Sequence, residues 1–223
     1  MAEPASTVSN SKSWRVWHGI NYQIGGITFL LGSIALLPAL VGKIDGALIS
    51  AWFYTVGSAA FLLADITEWL HYTKPFFPQY TLNFLFSVIG STFYLVGSIC
   101  YIPSLDAAKA GALYFIIGSS VIVFAQTWKI IRSLFFNDKP YWRNFFDDES
   151  GFYVDLYAGL GALMYLVGTV VLNKSASDPD YLLPGVLIYC LGGFFFTLSG
   201  IYMQKRYFFE DPKGKNGYEP TAQ

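Results

Sequence analysis

Charged residues are scarce in this sequence, and the scarcity limits the kind of protein it can encode. Only 13% of the 223 residues are Asp, Glu, Lys or Arg, whereas soluble domains carry roughly 25%. The chain has too little charge to cover a water-facing surface, which excludes an ordinary soluble enzyme and an acidic disordered chain. Fourteen basic residues nearly balance fifteen acidic ones, so no net field selects nucleic acid as a partner.

Cysteine is rare as well. Two cysteines, Cys100 and Cys190, are too few for a disulfide scaffold or for a four-ligand thiolate metal cluster. The sequence also contains no phosphate-binding loop, Ser-His-Asp set, nucleotide fingerprint or haem-attachment motif. We therefore predict no catalytic residue, no metal ligand and no cofactor, and we expect that the protein is not an enzyme.

Long apolar runs are the main feature that is present. Hydrophobic residues make up 54% of the chain, and its mean hydropathy is +0.42. A helix needs about 20 apolar residues to cross the hydrocarbon core of a bilayer. Six runs of this kind lie at approximately 20–41, 47–70, 81–103, 110–131, 153–172 and 181–203. We predict an all-α integral membrane protein with six transmembrane helices, in contact with the lipid bilayer.

The basic residues indicate how these helices are oriented. If both termini lie on one side of the membrane, eleven Lys and Arg residues fall on that side and three on the other. The three are Lys43, Lys109 and Lys174. Because basic residues concentrate in cytosolic loops, both termini of this multi-pass protein are predicted to be cytosolic. The sequence does not indicate which cellular membrane holds it.

An internal repeat runs through the six apolar segments. Phe-Leu-Leu-Gly-Ser at 29–33 aligns with Tyr-Leu-Val-Gly-Ser at 94–98 and with Tyr-Leu-Val-Gly-Thr at 165–169. In the even-numbered helices, the segment 54–58 aligns with 115–119 and, more weakly, with 189–193. Each pair of helices crosses the membrane twice, so the pairs share one orientation. The pattern predicts three parallel two-helix hairpin repeats.

These repeats divide the chain into six parts. In order they are a polar cytosolic N-terminal segment at 1–17, hairpin 1 at 18–73, hairpin 2 at 78–134, an interfacial cytosolic loop at 135–151, hairpin 3 at 152–205 and a disordered cytosolic tail at 206–223. The loop mixes aromatic, basic and acidic residues, which suits a segment lying at the membrane surface. It acts either as an interfacial anchor or as a docking loop for a partner.

The first hairpin carries motifs of a known family. Its Asn-Tyr opening at 21–22 is followed by Phe-Leu-Leu-Gly-Ser at 29–33 and by Trp-Phe-Tyr-Thr-Val-Gly-Ser at 52–58. A hairpin with these motifs is similar to the YrhK-like membrane domain, and three tandem copies would extend the resemblance over most of 18–205. The second copy departs from it, with Leu113 in place of the tryptophan. The resemblance implies a membrane architecture and brings no established activity.

Glycines recur on one face of the predicted helices. Pairs such as Gly25 and Gly32 are seven residues apart, which places them on nearly the same face after two turns. Small residues allow close backbone approach between membrane helices, so we predict that these glycines pack helices together; the alternative is a pore or substrate path. The predicted packing residues are Gly25, Gly32, Gly57, Gly90, Gly97, Gly118, Gly161, Gly168 and Gly192.

One polar cluster lies at the predicted cytosolic end of the second apolar run. Asp65, Glu68 and His71 are three residues apart and form a slanting row on one helix face. Gln126 occupies the position of Asp65 in the next hairpin. A Glu-x-x-His spacing also occurs in di-iron bundles, but the sequence contains no second such pair.

The role of this cluster has two interpretations. Asp65 is its deepest acid and is therefore the candidate for a proton-linked or cation-linked role. The alternative is that the charges reach interfacial water, with Asp65 paired to a neighbour such as Lys74 or Arg15, because charges near a helix end are tolerated far better than charges at the bilayer centre.

Three functions remain open on these observations. The short loops, the small-residue faces and the absence of charge from the middle of the six runs favour a non-enzymatic scaffold or assembly protein. It would pack with itself as a homo-oligomer or with other membrane proteins. The alternative is a small-solute or ion permease with the polar cluster at its cytosolic mouth. A metal-dependent membrane enzyme that uses Glu68 and His71 as ligands is the third.

Overall fold

The computed structural model of the chain describes residues 12–41, 43, 45–71, 78–135 and 149–210. Within these residues the chain is all-helical, with seven α-helices and no strand, as predicted. The α-helices are α1 (Lys12–Ala35), α2 (Pro38–Val41), α3 (Gly46–His71), α4 (Pro78–Cys100), α5 (Ala108–Phe135), α6 (Glu149–Lys174) and α7 (Leu182–Lys205). Two 3-10 turns, Pro103–Leu105 and Pro179–Tyr181, and a π-helical turn, Arg206–Glu210, accompany them.

Five of these helices are long and apolar enough to cross a membrane. They are α3, α4, α5, α6 and α7, whose apolar stretches have mean hydropathies between 1.6 and 1.8. The membrane-helix character predicted from the apolar runs is confirmed for these five. Helix α1 has 24 residues but is not among them, because His18, Asn21 and Gln23 lower the hydropathy of its apolar stretch. The sixth membrane crossing stays a prediction.

The long helices pack side by side in a closed ring. Within the described residues, α1 packs on α3, and each later long helix packs on the next along the chain until α7 returns to α1. Neighbours run antiparallel: Gly25 approaches Phe61, whereas Gly32 approaches Tyr54. The chain therefore passes up and down around the ring and ends beside its own first helix.

Aromatic side chains fill the centre of this ring. The long helices contribute one ring each to what we call the aromatic layer, namely Phe29, Tyr54, Tyr94, Phe115, Tyr165 and Tyr189, all of them 2% exposed or less. Phe29 lies in the middle, with its ring centroid 5.0 Å from that of Tyr165 and 5.5 Å from that of Tyr94. Packed rings of this kind attract one another at such distances, so the layer holds the helices together at one level.

Hydroxyl groups in and around the aromatic layer bond to one another. Ser33 Oγ lies 3.0 Å from Tyr54 Oη and 2.8 Å from Tyr165 Oη. Thr169 Oγ1 pairs with Tyr189 Oη at 2.7 Å. Each of these five hydroxyls therefore has a partner, as buried polar groups require, and the hydrogen bonds fix the orientation of the rings.

The outside of the ring is apolar, and buried polar residues lie inside it. Large apolar side chains are exposed on every long helix, among them Ile24, Trp52, Val96, Phe124, Leu163 and Leu187. Arg15, His18, Glu68 and Lys129 are instead buried. Soluble proteins show the opposite distribution. This one suits a hydrocarbon surrounding, which offers no partner to polar groups.

The helix limits differ from the predicted limits near both ends of the chain. Helix α1 begins at Lys12 and ends at Ala35 instead of spanning 20–41, because Arg15 points into the bundle and does not have to reach water. At the other end, the π-helical turn continues α7 into the predicted tail. Residues 1–11, 211–223 and most of the predicted interfacial loop, at 136–148, lie outside the described residues.

Candidate functional site

One end of the ring is rich in buried polar groups. It is the end where α1 begins, α3 ends and α4 begins. We call these residues the polar end: Arg15 and His18 on α1, Asp65 and Glu68 on α3, Asn83, Ser87 and Ser91 on α4, Gln126, Lys129 and Arg132 on α5, and Asp155 on α6. All are buried except Asp65 and Asp155, which are half-buried. Polar and charged groups thus gather on one side of the aromatic layer.

Asp65 interacts with α4. Its carboxylate accepts a hydrogen bond from Ser91 Oγ. The partners proposed from the sequence were Lys74, which lies outside the described residues, and Arg15. Arg15 instead donates from Nη1 to the backbone oxygen of Tyr207 at 3.1 Å. Asp65 therefore meets a neutral hydroxyl where an ion pair was expected, because the ring places the inner face of α4 beside it.

The other predicted polar residues lie at the same end. Glu68 is buried one turn beyond Asp65, and Gln126 is buried on α5, where it packs against Gly159 of α6. His71 is the last residue of α3, and its side chain lies outside the described part of the structure. Among the described residues, no group of three or more His, Cys, Asp or Glu side chains could hold a metal ion.

Lys129 is a buried cation. From the sequence it was predicted only to lie among the eleven basic residues on the side of the two termini. Its Nζ lies 3.7 Å from Oδ1 of Asp155, so the two side chains form an ion pair between α5 and α6. The carboxylates of Glu68 and Asp65 also act on it electrostatically. Lys129 therefore links the acidic residues of α3 and α6 across the interior of the polar end.

A double-mutant cycle tests this link. Lys129→Met removes the cation from the ion pair with Asp155, and Asp155→Asn removes the anion that pairs with the Lys129 ammonium. Removing one member of a buried pair costs more than removing both, so the two substitutions should be non-additive, with a coupling energy of about 1 kcal/mol or more. The measurement is chemical unfolding of the four proteins in detergent. Additive losses of stability would contradict the ion pair, and Asp178→Asn, an exposed change at the opposite end, serves as the control.

The start of α1 contacts the π-helical turn that follows α7. His18 Nδ1 and Tyr207 Oη lie 2.9 Å apart, and the ring of Trp14 stacks on His18 at a centroid distance of 5.0 Å. Trp14 is buried as well. These contacts bring polar residues of α1 inside the ring and connect them to the turn that follows α7.

All nine glycines predicted to pack helices lie against the other helix of their own hairpin. A Cβ at Gly97 would lie 2.6 Å from the Phe115 ring, and one at Gly168 would lie 2.5 Å from the Tyr189 ring. Gly97 and Gly168 therefore make room for rings of the aromatic layer.

Two further glycines lie where α1 meets α7. A Cβ at Gly26 would come within 2.6 Å of the Phe196 backbone oxygen, and one at Gly193 within 2.5 Å of Leu30 Cα. At this contact, which we call the seam, backbone faces backbone. The sequence did contain a signal, because each of the two follows a predicted packing glycine, in the doublets at 25–26 and 192–193.

Fold and site together define the class of the protein: an all-helical chain with membrane-helix character, an aromatic centre and buried polar groups at one end. Residues 12–71, which comprise α1 to α3, match the family model described as YrhK-like protein. The resemblance to the YrhK-like family is therefore confirmed for this segment. No curated protein and no solved structure matches the chain.

Proposed function

We propose that the chain is a multi-pass integral membrane protein with six crossings and with both termini on the cytosolic side. The sixth crossing is α1, which packs between α3 and α7, both apolar enough to span a bilayer. Its outer face carries the exposed side chains Ile20, Ile24 and Ile27. Its polar residues Arg15, His18, Asn21 and Ser33 are buried. An apolar outer face with polar groups inside suits a helix at the same depth as its neighbours.

We also propose that the six helices form three hairpin repeats. The aligned residues Phe29, Tyr94 and Tyr165 all belong to the aromatic layer. Ser33 and Thr169, which also align, each hydrogen-bond the tyrosine of their own hairpin. In hairpin 2 the tyrosine is replaced by Phe115, and Ser98 bonds instead to Ser58 at 3.0 Å. Equivalent positions thus have equivalent or compensating contacts, which supports the repeat.

Within this architecture, the function we propose is that of a non-enzymatic scaffold or assembly protein. The aromatic layer carries this proposal. Its rings are buried to 2% exposure or less, so water hardly reaches them. In this conformation a solute therefore has no path through the centre of the ring. The apolar outer surface is the part of the ring available for contact. Its partners would be lipid and, through homo-oligomer or hetero-oligomer formation, other membrane proteins.

Two measurements on the purified full-length protein test this proposal. In proteoliposomes, we expect that fluxes of ions and small solutes do not exceed those of protein-free vesicles. In lipid nanodiscs, native mass spectrometry should show a defined oligomer or a co-purified membrane partner. Solute flux that falls in Asp65→Asn would support a permease instead, and a lone monomer without partners would contradict the scaffold.

A further inference from the structure

Several oxygen atoms at the polar end are buried without a hydrogen-bond donor. Within the described residues, Asn83 Oδ1, Ser87 Oγ and Gln126 Oε1 have no hydrogen-bond partner. Their side chains are 3%, 5% and 5% exposed. Buried polar atoms are nearly always paired in folded proteins, and exceptions often mark a site whose ligand or water has not been seen. Three such atoms at one end of the ring are therefore available to accept hydrogen bonds from water or to bind a ligand.

The carboxylate of Asp65 is also short of donors. Ser91 Oγ donates to it, whereas an ionised carboxylate offers roughly four acceptor positions. Among the described residues, Asp65 forms no ion pair within 4.0 Å, because the ion pair of Lys129 is made with Asp155. Asp65 therefore retains unused acceptor capacity inside the protein.

The unpaired atoms on α4 belong to the face that meets Asp65. Asn83, Ser87 and Ser91 are four residues apart, so they lie above one another on one side of the helix. Ser91 makes the contact with Asp65. Since α3 and α4 run antiparallel, Ser87 lies one turn nearer to the end of α3, at the level of Glu68. The face is thus directed towards the acidic residues of α3.

Gln126 reaches the same region from α5. Gly90 packs against the Ile122 side chain, and this contact sets the register between α4 and α5. One turn further along the antiparallel pair, Ser87 is level with Gln126. Ser87 and Gln126 therefore lie near one depth on α4 and α5. Asp65, which contacts Ser91, lies about one turn nearer to the aromatic layer, and Asn83 lies one turn further from it.

We propose that Asp65, Ser87 and Gln126 bind a monovalent cation, either an alkali-metal ion or an ammonium ion. One carboxylate with neutral amide and hydroxyl oxygens offers a cation a single negative charge and several acceptors. The described residues offer no group of three acidic or imidazole ligands, and a divalent ion prefers several charged oxygen ligands. The cation would be held below the aromatic layer, bound to one side of the ring and not conducted through it.

The test compares salts on the purified full-length protein in lipid nanodiscs. Thermal unfolding is followed in NaCl, KCl, RbCl and NH4Cl, with N-methyl-D-glucamine chloride keeping the ionic strength constant. We expect at least one of these cations to raise the unfolding temperature saturably and to show one site per chain by isothermal titration calorimetry. Comparison of NH4Cl with the alkali salts distinguishes the two kinds of cation.

Substitutions connect this binding to the proposed residues. Asp65→Asn and Gln126→Leu should each lower the affinity for the cation at least tenfold. The Asp178→Asn protein, changed at the opposite end, should bind the cation as the wild type does. Ser87→Ala is the variant to use if Asp65→Asn does not fold. No saturable effect in wild-type protein, or equal binding in the Ser87 and Gln126 variants, would overturn the site. The result is independent of the scaffold proposal, which depends on oligomer formation and flux.

Discussion

Gly193→Leu is expected to open the ring at the seam and to lower the free energy of unfolding by about 3 kcal/mol or more. A Cβ at this position would lie 2.5 Å from Leu30 Cα and 2.6 Å from Leu30 N. Both are backbone atoms, so no side-chain rotation relieves the clash, and α1 and α7 must separate. Thermal and chemical unfolding of the protein in detergent measures the loss.

Two comparisons make this prediction specific to the seam. Phe194→Leu changes the neighbouring residue, whose side chain is exposed on the outside of the ring. The free energy of unfolding of this variant should stay within about 0.5 kcal/mol of the wild-type value. A Cβ at Gly161 would meet the side chain of Phe196 and no backbone atom among its three nearest neighbours, so Gly161→Ala should cost less than Gly193→Ala. A Gly193→Leu protein as stable as wild type would show that α1 and α7 do not pack by backbone contact.

Tyr165→Ala is expected to destabilise the protein by about 3–5 kcal/mol, the range for deleting a buried aromatic ring. The Tyr165 ring is fully buried, stacks on Phe196 at 5.5 Å and bonds through its hydroxyl to Ser33 and to the Phe29 backbone oxygen. Lipid does not reach this position, so the substitution leaves a cavity and removes the dispersion contacts of its neighbours. Chemical unfolding in detergent measures the effect.

Conservative variants separate the ring from its hydroxyl. Tyr165→Phe keeps the ring and loses the two hydrogen bonds, and it should cost about 1 kcal/mol, as interhelical hydrogen bonds in membrane proteins do. Phe194→Ala removes a ring from the exposed outer face and should cost far less than Tyr165→Ala. Equal losses for the Tyr165→Ala and Phe194→Ala proteins would contradict an aromatic layer that holds the ring together.

The helices were largely predictable because their apolar runs exceed the length needed to cross a bilayer. The start of α1 was not, since Lys12 and Arg15 resemble the flank of a membrane segment when only nearby residues are considered. Arg15 is buried because it donates to Tyr207, a residue 192 positions away. No local hydropathy pattern contains that partner, so the helix was predicted to begin later than it does.

The closure of the ring could not be predicted from the sequence either. Repeats predict that helices pair within hairpins, and the nine glycines chosen from the repeats lie within hairpins. Whether the last helix returns to the first depends on how the hairpins pack together. The second glycine of each doublet, Gly26 and Gly193, serves that packing, but a doublet alone does not identify the helix that it faces.

The polar end was predicted in part. Asp65 and Glu68 were selected as part of a polar row on one helix face, and Gln126 as the residue equivalent to Asp65 in the next hairpin. The structure places all three at one end of the ring. Lys129 and Asn83 were passed over, because a basic residue near a helix end normally indicates topology and a single asparagine indicates little. Their burial follows from the inward direction of one face of α4 and α5, which only the assembled ring defines.

The seam between α1 and α7 also has a consequence for biosynthesis. The ribosome completes α7 only after the other long helices, so α1 emerges first and lacks its final neighbour throughout translation. During that time Arg15 has no access to Tyr207, and the backbone around Gly26 is not covered by Phe196. A nascent chain that stops before residue 182 cannot close the ring. The polar residues of its first helix then require water or a chaperone as a partner.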